Sequence, residues 1–194
     1  MRIVAGTMRG RRLAALGKGD AAAHLRPTSD RVRESLFSIL DGGRFGDVID
    51  GVRVLDLFSG TGALGFEALS RGAMHVTAVD SGRKAQTIWR ENAAMLDLGT
   101  RAQLLRCEVM RLPAASDPCG LVFLDPPYGQ DQGAAALHRA LVQGWLTPRA
   151  LVVWEETSAQ SAPEGFQIED SRRYGDTWIT FLRVLPAINR TDAS

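Results

Sequence analysis

Along the first fifty residues, apolar positions come in short groups punctuated by glycine. Met1 to Ala5 and Arg11 to Leu16 read as two short strands around the turn Gly6-Thr7-Met8-Arg9-Gly10, which predicts a hairpin. Small and turn-forming residues from Gly17 to His24 predict a mobile loop. Pro27, with Thr28 and Ser29 as N-cap candidates, then opens a helix whose apolar residues Val32, Leu36, Ile39 and Leu40 fall at i, i+4, i+7 and i+8. That spacing puts Arg31 and Arg33 off the packed face. Asp41-Gly42-Gly43 closes the helix, and Gly43 to Gly51 links it to the main domain.

From Val52 onward, short apolar runs alternate with helical ones, the pattern of a parallel α/β sheet. The predicted strands are Val52 to Phe58, His75 to Asp80, Ala102 to Cys107, Leu121 to Asp125 and Leu151 to Glu155. Helices are predicted over Thr61 to Arg71, Arg83 to Leu98 and Ala134 to Gln143. The rhythm then changes: Phe166 to Tyr174 and Trp178 to Leu185, separated by Gly175-Asp176-Thr177, read as an antiparallel hairpin that ends the sheet. Trp89, Trp145, Trp154 and Trp178 lie within these patterns and are expected in the core rather than as base platforms. The residues after Pro186 are expected to fray.

A length of 194 residues allows one domain with a modest appendage. Hydrophobic residues at 45% and charged residues at 23% leave enough apolar surface for a core, which excludes disorder, collagen and coiled coil. No apolar run reaches the roughly 18 to 20 residues that span a bilayer, and Met-Arg-Ile-Val lacks a leader pattern, so a soluble cytoplasmic chain is expected. Cys107 and Cys119 are too few for a disulfide framework. They share no metal-ligand spacing with His24, His75 and His138, so no metal is expected.

The net charge of +1 conceals a division of the chain. Residues 1 to 33 hold eight cations, seven of them arginine, against Asp20 and Asp30, a balance of +6. The remainder has 15 cations against 20 acids, or −5. Arginine's planar fork pairs bidentately with phosphate and stacks on bases, so the basic segment points to nucleic acid.

The first predicted strand runs through Asp56-Leu57-Phe58-Ser59-Gly60-Thr61-Gly62-Ala63-Leu64-Gly65 directly into a helix. Glycines let backbone approach a ligand, and the helix start behind them offers unpaired N–H groups. Gly60, Gly62 and Gly65 satisfy G-x-G-x-x-G, and Asp80 lies 18 residues after Gly62, near the spacing of a ribose-binding acid. The match alone fits nicotinamide and S-adenosylmethionine sites alike, or a turn that needs glycine for packing. Asp56 separates them: an acid before the glycines repels pyrophosphate but suits a ligand with an ammonium group. Phe58, Ser59 and Thr61 complete the candidate cofactor loop. Asp80 would accept hydrogen bonds from both ribose hydroxyls, or cap the helix after Ser81. Glu108 is placed to reach the adenine amine, or is simply solvated.

The fourth strand ends in Asp125-Pro126-Pro127-Tyr128-Gly129, just where open α/β sheets bind ligands. Two prolines fix the backbone into a shelf. Asp125 and the Pro126 carbonyl can accept hydrogen bonds from an exocyclic amine while Tyr128 stacks on its base. A rigid turn explains the prolines equally, but not their occurrence together with the glycine loop. An aromatic amine is a poor nucleophile, and acceptors that draw its protons away, with the nitrogen held in line with an S-methyl group, would supply the catalysis.

Together, Asp56 to Gly62, Asp80 and Asp125 to Tyr128 resemble class I S-adenosylmethionine-dependent methyltransferases acting on amino groups of nucleic-acid bases. Met1-Arg2-Ile3-Val4-Ala5-Gly6, Gly10-Arg11-Arg12-Leu13, Arg26-Pro27-Thr28-Ser29-Asp30-Arg31-Val32-Arg33-Glu34 and Arg173-Tyr174-Gly175 are similar to the bacterial 16S ribosomal RNA (guanine-966 N2) methyltransferase family. The resemblance implies a Rossmann-like α/β fold with a mostly parallel seven-stranded sheet, a C-terminal antiparallel hairpin and a small basic N-terminal extension. It implies methyl transfer to the N2 amine of one guanine in 16S ribosomal RNA, on an assembling or assembled small-subunit particle, by a monomeric enzyme; the residues leave open whether naked RNA is accepted. Residues 1 to 45 would then contact RNA, residues 46 to 186 would form the catalytic domain, and residues 187 to 194 a tail. Arg9, Arg11, Arg12, Arg26, Arg31 and Arg33 would hold phosphates or neighbouring bases, although Arg26 and Arg31 can instead pair with Asp30 or Glu34. Relatives often carry asparagine or aspartate in place of Glu108. Rival readings are an N6-adenine DNA methyltransferase, which needs a larger recognition domain, a non-catalytic RNA-binding module and a nicotinamide dehydrogenase.

Overall fold

A computed structural model describes residues 1–15, 30–127 and 132–186. The expected loop from Gly17 to His24, the N-cap candidates Thr28 and Ser29, and the tail from 187 to 194 lie outside the described residues. Beyond the N-terminal segment, the order is α1 (Asp30–Asp41), β1 (Arg53–Leu57), α2 (Ala63–Ser70), β2 (His75–Val79), α3 (Arg83–Met95), β3 (Ala102–Leu105), β4 (Cys119–Leu124), α4 (Gln132–Val142), β5 (Leu146–Glu156), β6 (Phe166–Tyr174) and β7 (Thr177–Val184). One seven-stranded sheet forms in the order β3-β2-β1-β4-β5-β7-β6. The first five strands are parallel, and β7 pairs antiparallel with both β5 and β6. This is the Rossmann-like class I arrangement expected from the sequence.

Both faces of the parallel part are covered, which is why its strands read as nearly unbroken apolar runs. On one face Val54, Val76, Phe123, Val153 and Phe181 meet the N-terminal segment and α1 to α3 through Ile3, Leu13, Phe37, Phe66 and Trp89. On the other, Leu55, Leu57, Val122, Leu124 and Trp154 meet α4 through Ala136, Leu137 and Ala140. Strand alternation therefore puts Asp56, next to Val54 on the first face, inside the protein at its carboxyl edge. Trp89, Trp145 and Trp154 are buried as expected, whereas Trp178 is only partly so.

The N-terminal segment is a hairpin held by a single bridge, Arg2 to Arg12. The Ile3 N–H donates to Arg11 O at 2.9 Å and the Leu13 N–H to Met1 O at 3.0 Å. Its anchor is Glu67 of α2, fully buried, which accepts the Val4 N–H at 2.8 Å and the Ala5 N–H at 3.0 Å. Gly6 passes so close to Ser70 that a Cβ would lie 1.8 Å from its carbonyl oxygen. Nothing but glycine fits there.

Two expectations need correction. Arg33 does not lie off the packed face of α1: it is 0% exposed, 3.7 Å from Glu67, and bonded to the Arg2 carbonyl. The face actually buried is Arg33, Leu36, Phe37 and Leu40, at i, i+3, i+4 and i+7, because a buried carboxylate awaits the guanidinium. β5 begins at Leu146, five residues earlier than expected, since Thr147-Pro148-Arg149 disguises its start.

Candidate active site

β1 ends on Leu57, and the chain turns sharply through Phe58, which adopts φ 58° in the left-handed region that side chains other than glycine rarely occupy. Gly60 (φ 55°) and Gly62 (φ 81°) come next, and Gly62 stands at the N-terminus of α2. A Cβ on Gly62 would lie 2.4 Å from the Phe66 ring and 2.7 Å from Trp89. Gly65 has ordinary backbone angles, but a Cβ there would lie 2.8 Å from Val76, so its smallness lets α2 close onto β2. The three glycines thus serve both conformation and close approach.

Two aspartates shape this loop. Asp56 is 3% exposed, and its Oδ2 accepts the Gly65 N–H at 3.1 Å, capping α2 from the neighbouring strand. Burial, opposed by that bond and aided by the charge of Asp80, pushes its carboxyl up to about 7. Asp80, beyond the end of β2, accepts the Gly60 N–H through Oδ2 and the Gly82 N–H through Oδ1, each at 2.8 Å. It does not cap α3 as a side-chain N-cap; Gly82 stands at that position.

Asp125 comes directly after β4. Its carboxyl is raised well above the ordinary range, first by burial and then by Glu155, Asp56 and Glu156. Pro126 is buried beside it and Pro127 is partly exposed. Tyr128 lies outside the described residues. β1, β2, β4 and β5 therefore bring Asp56, Asp80, Asp125 and Glu155 to one carboxyl edge. Such a field disfavours an anion and attracts a cation or hydrogen-bond donors. Among the described residues, no group of His, Cys, Asp and Glu is arranged to hold a metal ion.

The site residues not foreseen are Glu155 and Glu156, 7% and 8% exposed at the tip of β5. The signal available was two consecutive acids ending an apolar strand. Glu156 accepts the Thr157 N–H at 2.8 Å. Glu108 is exposed and pairs with Arg111 at 3.3 Å. Ser59 and Thr61 sit in the loop as the sequence places them, and the Ser59 hydroxyl oxygen is buried without a partner.

The basic residues divide. Arg9 and Arg12 are exposed on the hairpin. Arg11, also exposed, donates to Leu96 O at 3.1 Å and to Met95 O at the last turn of α3, where it complements the helix's carbonyl end. Arg33, buried against Glu67, cannot meet a phosphate. Arg26 and the side chain of Arg31 lie outside the described residues. A cavity of about 180 Å³ opens where the hairpin meets α1, lined by Arg2, Arg9 and Glu34.

A model of the conserved hypothetical protein 95 family matches residues 1–183 of this chain. Ribosomal RNA small subunit methyltransferase D of Escherichia coli is 35% identical over 164 residues, covering 84% of this chain and 78% of its own length. The protein of the same name in Haemophilus influenzae is 34% identical over 159 residues, covering 80% and 78%. Among solved structures, the yhhF protein of Escherichia coli, provisionally described as a methyltransferase, superimposes with a TM-score of 0.80 at 32% identity, covering 95% of this chain and 98% of its own. No helix of the described residues is long and apolar enough to cross a membrane.

Proposed function

The chain belongs to the conserved hypothetical protein 95 family, and on that premise we propose that it methylates ribosomal RNA, taking the methyl group from S-adenosylmethionine and placing it on the N2 amine of a guanine in 16S RNA, in the cytoplasm. The observation that carries this reading is the carboxyl edge of the sheet, where a glycine loop braced by Asp80 stands beside Asp125 and its proline shelf. Relatives named as small-subunit ribosomal RNA methyltransferases support the RNA substrate.

The residues present suit the cofactor. Gly60 and Gly62 hold the left-handed turns that carry the loop to the start of α2, and the Ser59 hydroxyl there is buried without a partner among the described residues. Each Asp80 oxygen accepts one N–H and keeps a lone pair for a ribose hydroxyl. Asp56 and its acidic neighbours favour a sulfonium nucleoside with an ammonium group over a dinucleotide with pyrophosphate. When bound, that nucleoside supplies an electrophilic methyl group on a positively charged sulfur.

The chain's own work is orientation and proton management. Asp125 and the Pro126 carbonyl accept the amine's hydrogens, turning the nitrogen lone pair out of conjugation, while the proline shelf and Tyr128 hold the base. A raised Asp125 carboxyl returns to its ionised form when positive charge enters the site, and it can then receive the proton that the methylated amine sheds. The hairpin's exposed Arg9 and Arg12, with Arg2 and the cavity beside them, form the RNA arm of a first segment spanning residues 1 to 45. Residues 46 to 186 form the catalytic domain.

The test is calorimetric titration with S-adenosylhomocysteine followed by transfer of labelled methyl from S-adenosylmethionine to a 16S transcript or to particles from cells lacking the protein. Cofactor binding with transfer to guanine N2 supports the reading. Binding of RNA without cofactor makes the chain a non-catalytic module, and transfer to adenine assigns it to another amine.

A further inference from the structure

Asn92, on α3, is fully buried, and each of its polar atoms is used. Its Oδ1 accepts the Ala14 N–H at 2.7 Å. Its Nδ2 donates to Ala14 O at 3.2 Å and to Thr61 O at 2.9 Å. The amide thus pairs with Ala14 as another strand would and spends its remaining hydrogen on the glycine loop. Among the described residues, it is the one side chain bonded both to the N-terminal hairpin and to that loop.

What it grips in the loop is specific. The Gly62 N–H donates to Ser59 O at 2.8 Å, so the peptide between Thr61 and Gly62 is held at its nitrogen by Ser59 and at its oxygen by Asn92. Fixing that peptide plane fixes the Thr61 carbonyl and the Gly62 N–H, and with them the turn that leads into α2. On the hairpin side, Ala14 lies two residues after Arg12, and Leu13 between them is buried. A hairpin drawn taut by RNA on Arg9 and Arg12 therefore pulls directly on the partner of Asn92.

From this geometry we infer that Asn92 is a positioning residue that couples the seating of the RNA arm to the shape of the methyl-donor loop, so that RNA and donor strengthen each other's binding. The inference rests on the proposed function, since it needs both ligands. Linkage makes the effect reciprocal: whatever factor RNA adds to donor affinity, donor adds to RNA affinity. No contact between the two ligands is required.

The test uses the full chain and S-adenosylhomocysteine, titrated with and without a 16S transcript. In the native chain, the transcript tightens S-adenosylhomocysteine by about fivefold or more, the lower end of ordinary coupling. In Asn92→Ala, and in Ala14→Pro, which removes the N–H that Asn92 accepts without touching the loop, S-adenosylhomocysteine still binds but the tightening is gone. Folded variants that keep the tightening overturn the inference, as does a native chain that shows none. Should the variants fail to fold, amide exchange in the native chain decides: S-adenosylhomocysteine must slow exchange at Ala14, and slowing confined to the glycine loop contradicts the inference. A native chain that does not bind S-adenosylhomocysteine at all overturns the functional reading instead.

Discussion

Asp80 holds Gly60 in place: its Oδ2 accepts the Gly60 N–H at 2.8 Å, while Oδ1 accepts the Gly82 N–H at the same distance. One carboxylate thereby ties the loop after β1 to the turn after β2 and still offers lone pairs to a ligand. The aspartate that suggests a ribose contact in the sequence is also the brace of the loop.

Replacing it should therefore damage donor binding twice over. Hydrogen bonds to a charged acceptor contribute about 1.5–3 kcal/mol each, so Asp80→Ala should weaken S-adenosylhomocysteine by a factor of at least roughly 10 to 150. Calorimetric titration checks this. An affinity unchanged within twofold would remove Asp80 from the site.

Asp56 predicts a pH dependence with a definite sign. Its folded carboxyl stands at about 7 against 3.8 for the ordinary group. The folded chain thus holds a proton that the unfolded chain has lost between those values, and ligand-free stability falls as pH rises from about 4 to 7. A cationic donor prefers the ionised form, so its affinity should rise as pH climbs through about 7. Asp56→Asn should make both profiles shallower, with the remaining slope coming from the raised carboxyl of Asp125, read by thermal melts and titrations from pH 5 to 8.

Gly62 admits no side chain. With φ at 81° and Phe66 2.4 Å from a would-be Cβ, Gly62→Ala combines a left-handed backbone with overpacking. The expected cost is about 2–4 kcal/mol by denaturant titration. Donor binding should be lost in the fraction that folds.

The arginines should separate into two classes. Arg33→Ala removes a buried guanidinium but leaves Glu67 paired with Arg71 at 2.9 Å and bonded to the Val4 and Ala5 N–H groups, and should cost about 1.5–3 kcal/mol of stability. Neutralising Arg9 and Arg12 should leave the melting temperature alone. It should weaken RNA binding and reduce the slope of log affinity against log salt by about one per lost phosphate contact.

The fold was largely legible because its signals are local. Apolar runs of β1, β4 and β7, buried on both faces, and the turn at Gly175 announce themselves in the sequence. So do the glycines and Asp125-Pro126-Pro127. What escaped is tertiary. Arg33 reads as a surface cation because nothing near it in sequence reveals that Glu67, more than thirty residues later, lies buried against it. The contacts of Arg11 to backbone carbonyls at the end of α3 carry no sequence signature either. Asn92 sits among ordinary helical residues, and only folding brings Ala14 and Thr61 to it. Glu155 and Glu156 were visible as letters, but their effect on Asp125 depends on β5 lying beside β4.

Asp125 should separate chemistry from binding. Asp125→Ala removes the acceptor for the amine but no contact of the glycine loop, so methyl transfer should fall by about 10²-fold or more while S-adenosylhomocysteine affinity stays within a few-fold. Normal turnover in this variant would exclude Asp125 from the reaction.

The most direct measurement is mass-spectrometric mapping of methylated nucleotides in ribosomal RNA from cells with and without this protein. One N2-methylguanosine in 16S RNA should vanish when the protein is absent and return when it is restored, but not when Asp125→Ala is supplied. An unchanged methylation map, or a lost methyl group on any atom other than a guanine amine, would contradict the account.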